Sequence, residues 1–324
     1  MTTTSSDSSA LAPSTERAAA VSDAEAEADA SWMTTPEKGT MLGARIVVWT
    51  SWILGRRGAG LLLRFVVFYY ALFAKTARRA SRDYLRRSGR PSGFWAVYRH
   101  VLAFARCALD RVYFVQGKFK PFEVHHHGHE HLRAAAESGE GAILLGAHMG
   151  SFEVMRTLAG ERELTINILA YWENARMISS FLAGLGADFT ARVIAIRPED
   201  PSYIFAVRDA IERGEFVAVL GDRVGIGEKS VNASFFGAPA RFPAGPYTLA
   251  AILKCPVYLT FGLFTAPNRY DLYCEPFGER LELPRGARTE ALQAYAQRYA
   301  ERLEHYCQLA PDNWFNFFDF WGGA

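Results

Sequence analysis

The chain has 324 residues, of which 50% are hydrophobic, and a formal net charge of +2. That length and apolar content exclude a disordered or collagen-like chain and leave room for one large core and up to two small domains. The near-balanced charge excludes the strongly basic profile of a nucleic-acid binder, so no nucleic acid is expected as a partner and any basic surface must be local.

Residues 1–40 are rich in Ser, Thr, Ala and acidic groups, with hardly a large apolar side chain before Trp32. Such a segment buries too little apolar surface to offset chain entropy and is expected to be a disordered tail. It has neither the basic cluster nor the apolar run of a cleaved signal peptide. Residues 41–90 then form a hydrophobic stretch followed by a basic one. Met41 to Ala74 is apolar but broken by Arg45, Arg56, Arg57 and Arg64. Its charge-free pieces, Ile46 to Gly55 and Phe65 to Ala74, run about ten residues each, where a spanning helix needs roughly 20. Snorkelling arginine stems leave a tilted span and an interfacial helix both open, and a buried helix followed by a solvated basic one is the reading without a membrane. Trp49, Trp52, Tyr69 and Tyr70 suit headgroup depth, and the basic run Ala74 to Arg90 suits an anionic cytoplasmic surface. A membrane-associated segment is therefore expected.

Residues 91–324 alternate short apolar runs with amphipathic stretches. "GAILLG" (141–146), "INILAY" (166–171), "RVIAI" (192–196), "FVAVLGD" (216–222), "PVYLTFGLF" (256–264) and "RYDLYCEPF" (269–277) have the composition of strands. Asp200, Pro201 and Gly214 bracket a helix with Ile204, Val207 and Ile211 on one face, and a last helix is expected from about Thr289 to Leu309. Strands alternating with helices predict an α/β fold, a mainly parallel sheet flanked by helices. The closing "NWFNFFDFW" (313–321) is expected to pack its aromatics on the core, with membrane contact as the second reading. Cys107, Cys255, Cys274 and Cys307 have no metal-ligand spacing and read as reduced core thiols of a cytosol-facing protein.

"GAHMGSFE" (146–153) sets a histidine just past a buried strand, where open parallel sheets place their sites. Five helical positions turn through about 140°, so His148 and Glu153 meet only if the helix starts after the histidine, with Ser151 as its cap. Gly146 and Gly150 supply backbone freedom for that loop. A carboxylate on one ring nitrogen leaves the other as a base for a hydroxyl proton, and free N–H groups at the helix start would face an oxyanion. A histidine satisfied in a turn fits the local spacing equally well. "HHHGHEH" (125–131) resembles a metal cluster, yet adjacent histidines on a strand point to alternate faces. A strand-to-helix turn is expected there, with no metal and no bound cofactor. A GxSxG elbow is absent, which leaves a serine esterase unsupported.

"HMGSFE" (148–153) resembles the His-x4-Glu block of the lysophospholipid acyltransferase superfamily. "GDRVG" (221–225), "SFFGAPARFPAGPYTLA" (234–250) and "PDNWFNFFDFW" (311–321) are similar to blocks of its bacterial lipid A late acyltransferase branch, and the likeness covers most of residues 40–324. The resemblance implies a glycerolipid acyltransferase-like domain behind an N-terminal membrane helix, at the cytoplasmic face of the inner membrane. It implies His148 as a base oriented by Glu153, an acyl carrier protein or acyl-CoA donor, and a lipid or glycolipid hydroxyl as acceptor. Asp222 matches the family's aspartate after the central strand. Arg223, Arg241 and, by the loosest match, Arg176 in "YWENARM" are implied as substrate-binding, in keeping with bidentate phosphate recognition by guanidinium. The long start, "YWENARM" and "FPAGP" depart from the branch and leave the acceptor open among glycolipid, phospholipid and aminolipid, and the acyl chain open to polyene types. A membrane-anchored lipid binder without catalysis and a lipid hydrolase are the alternatives on the same fold.

Overall fold

The computed structural model describes residues 40–155, 164–172, 175–176, 193–197, 199–225 and 227–322. The tail expected before residue 40 lies outside them. Helix α1, Thr40–Phe73, is broken at Gly55, whose φ of 65° and ψ of 179° are not helical. It is followed by α2, Lys75–Arg87, and α3, Phe94–Val115. No single helix among the described residues is long and apolar enough to cross a membrane, and Ile53–Phe73 with Lys75–Arg87 qualifies only as a pair bent by 91°. Tyr69 and Tyr70 are exposed. The side chains of Trp49 and Trp52 lie outside the described set.

The body then runs β1 (Glu123–His127), α4 (His129–Ser138), β2 (Ala142–Gly146), a 3-10 turn (Phe152–Met155), β3 (Ile166–Tyr171) and β4 (Val193–Ile196). After these come α5 (Tyr203–Glu212), β5 (Phe216–Leu220), β6 (Ser230–Phe235), β7 (Ala238–Pro243), α6 (Gly245–Leu253), β8 (Val257–Thr265), β9 (Arg269–Gly278) and α7 (Arg288–Leu309). Seven strands form one sheet in the order β1-β9-β8-β2-β5-β3-β4. All its pairs are parallel except β8 with β9, which are antiparallel.

The strand period of two divides the core. Ile143 and Leu145 of β2 pack in the cluster that holds Leu292, Ala296, Tyr299 and Leu303 of α7, whereas Ala142 and Leu144 pack with Phe114 of α3 and Leu132 of α4. Helices thus cover both faces, as expected of an α/β sheet. Asp200 accepts the Ser202 N–H at 2.9 Å just ahead of α5, so the helix begins two residues later than Pro201. Gly128, at φ 73°, turns β1 into α4, the strand-to-helix turn expected in the histidine run. There His127 reaches Asp271 at 3.1 Å and stacks on Tyr273. The four cysteines are buried free thiols.

The sequence pattern did not disclose the β6–β7 hairpin. Its two-residue turn puts both Phe236 (φ 49°) and Gly237 (φ 74°) at positive φ, the conformation that matches strand twist in a tight hairpin. Onto it folds the aromatic tail. Phe235 meets Trp314 at 5.2 Å between ring centroids and stacks on Trp321 at 5.8 Å, so the tail packs on the core.

Candidate active site

Adjacent parallel strands β2 and β5 are in register with Gly146 opposite Leu220. The Gly221 N–H extends the ladder to the Gly146 carbonyl at 2.9 Å. Two residues beyond each paired end stand His148 and Asp222, and the shared register brings them together. Asp222 Oδ1 lies 2.8 Å from His148 Nδ1, and its Oδ2 accepts the His148 backbone N–H at 3.1 Å and the Trp314 indole N–H at 3.0 Å. Asp222 is buried, 1% exposed, while the histidine side chain keeps 31% of its surface open.

Burial pushes the Asp222 carboxyl up, but His148, Arg223 and the Trp314 indole outweigh it and hold the group down at about 2. An ionised Asp222 can only accept, so the proton of a neutral imidazole resides on Nδ1 and leaves Nε2 with a free lone pair. For His148 itself, burial and the Arg223 charge lower the pKa and Asp222 opposes them, with a net fall below the ordinary histidine value. The ring is therefore neutral near pH 7, in the tautomer a base requires.

The expected partner Glu153 does not orient this ring. Among the described residues after Gly150, Phe152–Met155 form a 3-10 turn, and the Glu153 carboxylate accepts the buried Ser151 hydroxyl at 2.9 Å and pairs with Arg111 at 2.7 Å. The Ser151 hydroxyl thus serves the carboxylate. The N–H groups of His148, Gly150 and Ser151 go to Asp222, the Asn313 carbonyl and the Gly262 carbonyl. Gly150 does require its backbone freedom: at φ 59° a Cβ would stand 1.9 Å from the Gly262 carbonyl oxygen. Gly146, inside β2, has no positive φ.

Arg223 is half-buried next to Asp222. It donates to the Phe315 carbonyl at 2.7 Å and lies over the Phe318 ring, while the Phe315 N–H bonds the His148 carbonyl at 2.8 Å. It therefore belongs to the same constellation. Arg241, on β7, donates to Ser230 Oγ at 3.0 and 2.9 Å across the hairpin. Arg176 is exposed. No described contact brings either to His148.

Several contributors carry no sequence signal beyond residue type. Trp314 is 1% exposed, and its carbonyl lies 2.8 Å from His100 Nε2, whose Nδ1 lies 2.8 Å from Ser81 Oγ. Burial lowers His100 to about 4 against the pull of that carbonyl, so it is neutral and must donate from Nε2 and accept from Ser81. Glu228 is clasped by the Tyr171 hydroxyl at 2.7 Å and the Gly225 N–H at 3.0 Å, which ties the loop after Asp222 to β3. Trp314 lies in a closing block the sequence singled out for packing, and only the fold reveals its second role.

A neutral imidazole backed by a buried carboxylate, at the carboxyl end of a parallel sheet, is a site for proton abstraction from a hydroxyl. A family model of bacterial lipid A biosynthesis acyltransferases matches residues 109–321, which include His148, Asp222 and Trp314. The chain belongs to this family and is an acyltransferase. No curated protein matches it.

Proposed function

We propose that the protein transfers a fatty acyl chain from a thioester of acyl carrier protein or coenzyme A to a hydroxyl of a membrane lipid or glycolipid, at the cytoplasmic face of the inner membrane. His148 Nε2 takes the acceptor proton as the hydroxyl oxygen attacks the thioester carbonyl. The tetrahedral oxyanion then collapses, the C–S bond breaks, and the imidazolium returns the proton to the departing thiolate. Asp222 holds Nδ1–H and stabilises the imidazolium between these steps. Arg223 supplies positive charge beside the reacting centre, for the oxyanion or for a donor phosphate. Glu153, with Ser151 and Arg111, fixes the loop that carries the histidine.

The observation that carries this reading is the 2.8 Å contact between His148 Nδ1 and the buried Asp222. Support for the membrane comes from the exposed apolar face of α1 followed by the basic α2, the composition of an interfacial anchor. Purified protein incubated with a labelled acyl thioester and host lipid extract tests it. Wild type is expected to yield acylated lipid and His148→Ala none, with unchanged folding. Free fatty acid as the wild-type product would assign hydrolysis, and near-normal transfer by His148→Ala would remove the base.

A further inference from the structure

Helix α1 runs antiparallel to α3, and the seam is fastened at both ends. At one end Arg56 pairs with both oxygens of the buried Asp110, at 2.6 and 2.8 Å, and also donates to the Pro267 carbonyl at 2.8 Å. At the other, the Tyr98 hydroxyl donates to the Arg64 carbonyl at 3.3 Å. Ala59, Leu63 and Leu109 form a small apolar core between them. Apart from Pro267, these residues precede or just enter the segment matched by the family, 109–321.

Arg106 projects into this seam, one helical turn before Asp110 and about two turns after Tyr98. It is half-buried, and among the described residues its guanidinium makes no hydrogen bond or ion pair. Asp110 reaches it only through space, its oxygens being hydrogen-bonded by Arg56 and by the Tyr270 hydroxyl at 2.9 Å. Burial, Arg64 and Arg56 depress the Arg106 pKa more than Tyr98 and Asp110 raise it, so the positive charge gathered here outweighs the one carboxylate nearby. A partly desolvated cation with no hydrogen-bonded counter-charge is costly, and a phosphate, which guanidinium binds in bidentate fashion, lowers the cost.

The surroundings specify what carries that phosphate. On the same two helices Phe65, Tyr69 and Trp95 are 68%, 66% and 65% exposed, and Leu61, one turn before Phe65, is exposed as well. So large a run of exposed apolar and aromatic side chains marks an interaction surface, and one bordered by arginine fits acyl chains below an anionic headgroup. We propose that Arg106, together with Arg64, binds the phosphate of an anionic membrane lipid whose acyl chains lie along the exposed face of α1. The inference rests on the membrane placement proposed above. It sets the headgroup on the helix whose Arg111 pairs with Glu153 of the catalytic loop.

Co-sedimentation of the full chain with phosphatidylcholine vesicles, with and without phosphatidylglycerol, tests the site. Wild type is expected to prefer the anionic vesicles, and Arg106→Gln to lose about fivefold of that affinity, the worth of one basic residue near a charged surface. Arg106→Lys should recover part of the loss, and Arg285→Gln, in the exposed β9–α7 connection, should lose nothing. Circular dichroism of each variant establishes that it is folded. Wild-type affinity in Arg106→Gln, or an equal loss in Arg285→Gln, overturns the site while leaving membrane association standing. No binding to either vesicle overturns both. Calorimetric binding of glycerol 3-phosphate that Arg106→Gln abolishes, without any vesicle preference, would assign a soluble phosphate and overturn the lipid.

Discussion

Two carboxylates compete for the role of orienting His148, and paired amide substitutions separate them. Asp222→Asn keeps the shape of the side chain but converts an obligate acceptor into one that presents an NH2 group. That group can donate to Nδ1, which moves the ring proton to Nε2 and blocks the base. General-base catalysis contributes about 10²–10⁴-fold, so the acyl-transfer rate should fall by that factor, or about 3–5 kcal/mol of transition-state free energy. Glu153→Gln instead weakens a pair whose Arg111 side chain is 44% exposed. Partly exposed pairs contribute about 0–1 kcal/mol, and the Ser151 hydroxyl can still bond the amide oxygen, so a loss of no more than about tenfold is expected. Steady-state transfer from a labelled acyl thioester, with thermal unfolding of both variants, measures the difference. A severe loss in Glu153→Gln beside near-normal turnover in Asp222→Asn would refute the assignment and return the orienting role to the His-x4-Glu spacing.

The remaining expectations follow from the same contacts. The transfer rate should fall as pH drops through the His148 pKa, below the ordinary histidine value because burial and Arg223 lower it. Arg223→Gln removes a lowering influence and should move this limb to higher pH, whereas Asp222→Asn removes a raising one and should move it lower; a pH–rate profile that shifts the other way in either variant contradicts the geometry. Trp314→Phe deletes the indole donor to an ionised carboxylate, a bond worth about 1.5–3 kcal/mol, and should lower both denaturant stability and turnover, the latter less than Asp222→Asn. His100, at about 4 in the folded protein, takes up a proton more readily when unfolded. Stability should therefore be full above about pH 6.5 and decline by about 3 kcal/mol as pH falls toward 4, as read by denaturant titration, and a His100→Gln protein should lack that component.

Much of the sheet was legible because its strands are short, apolar and buried on both faces. "GAILLG" and "FVAVLGD" could hardly be anything else. The β6–β7 hairpin was not, since "SFFGAPARFP" carries a proline-containing strand and a turn with phenylalanine at positive φ, neither of which propensity favours. His148 was legible from its place after a strand. Its partner was not, because the sequence displays neighbours along the chain and the sheet displays neighbours across it. Glu153 stands five residues away and Asp222 seventy-four, yet the β2–β5 register selects the distant one. Asp222 was singled out only by resemblance, and nothing local to it told of a histidine.

The same register ties the aromatic tail to the His148–Asp222 pair as well as to the core. Asp222 has one oxygen on His148 Nδ1, so its orientation depends on what holds the other, and the His148 N–H and the Trp314 indole hold it. Trp314 is in turn set by Met149, with which it forms a bridge, by the rings of Tyr84 and Phe235, and by the His100 bond to its carbonyl. Since His100 is bonded to Ser81, an unbroken line of hydrogen bonds and backbone runs from the basic helix α2 to the base. Each link is buried and satisfied, which fixes geometry at little cost, whereas a link left unpaired would cost about 1–3 kcal/mol. The helix expected to meet the membrane and the proposed base are therefore positioned by one network, and Trp314 closes it.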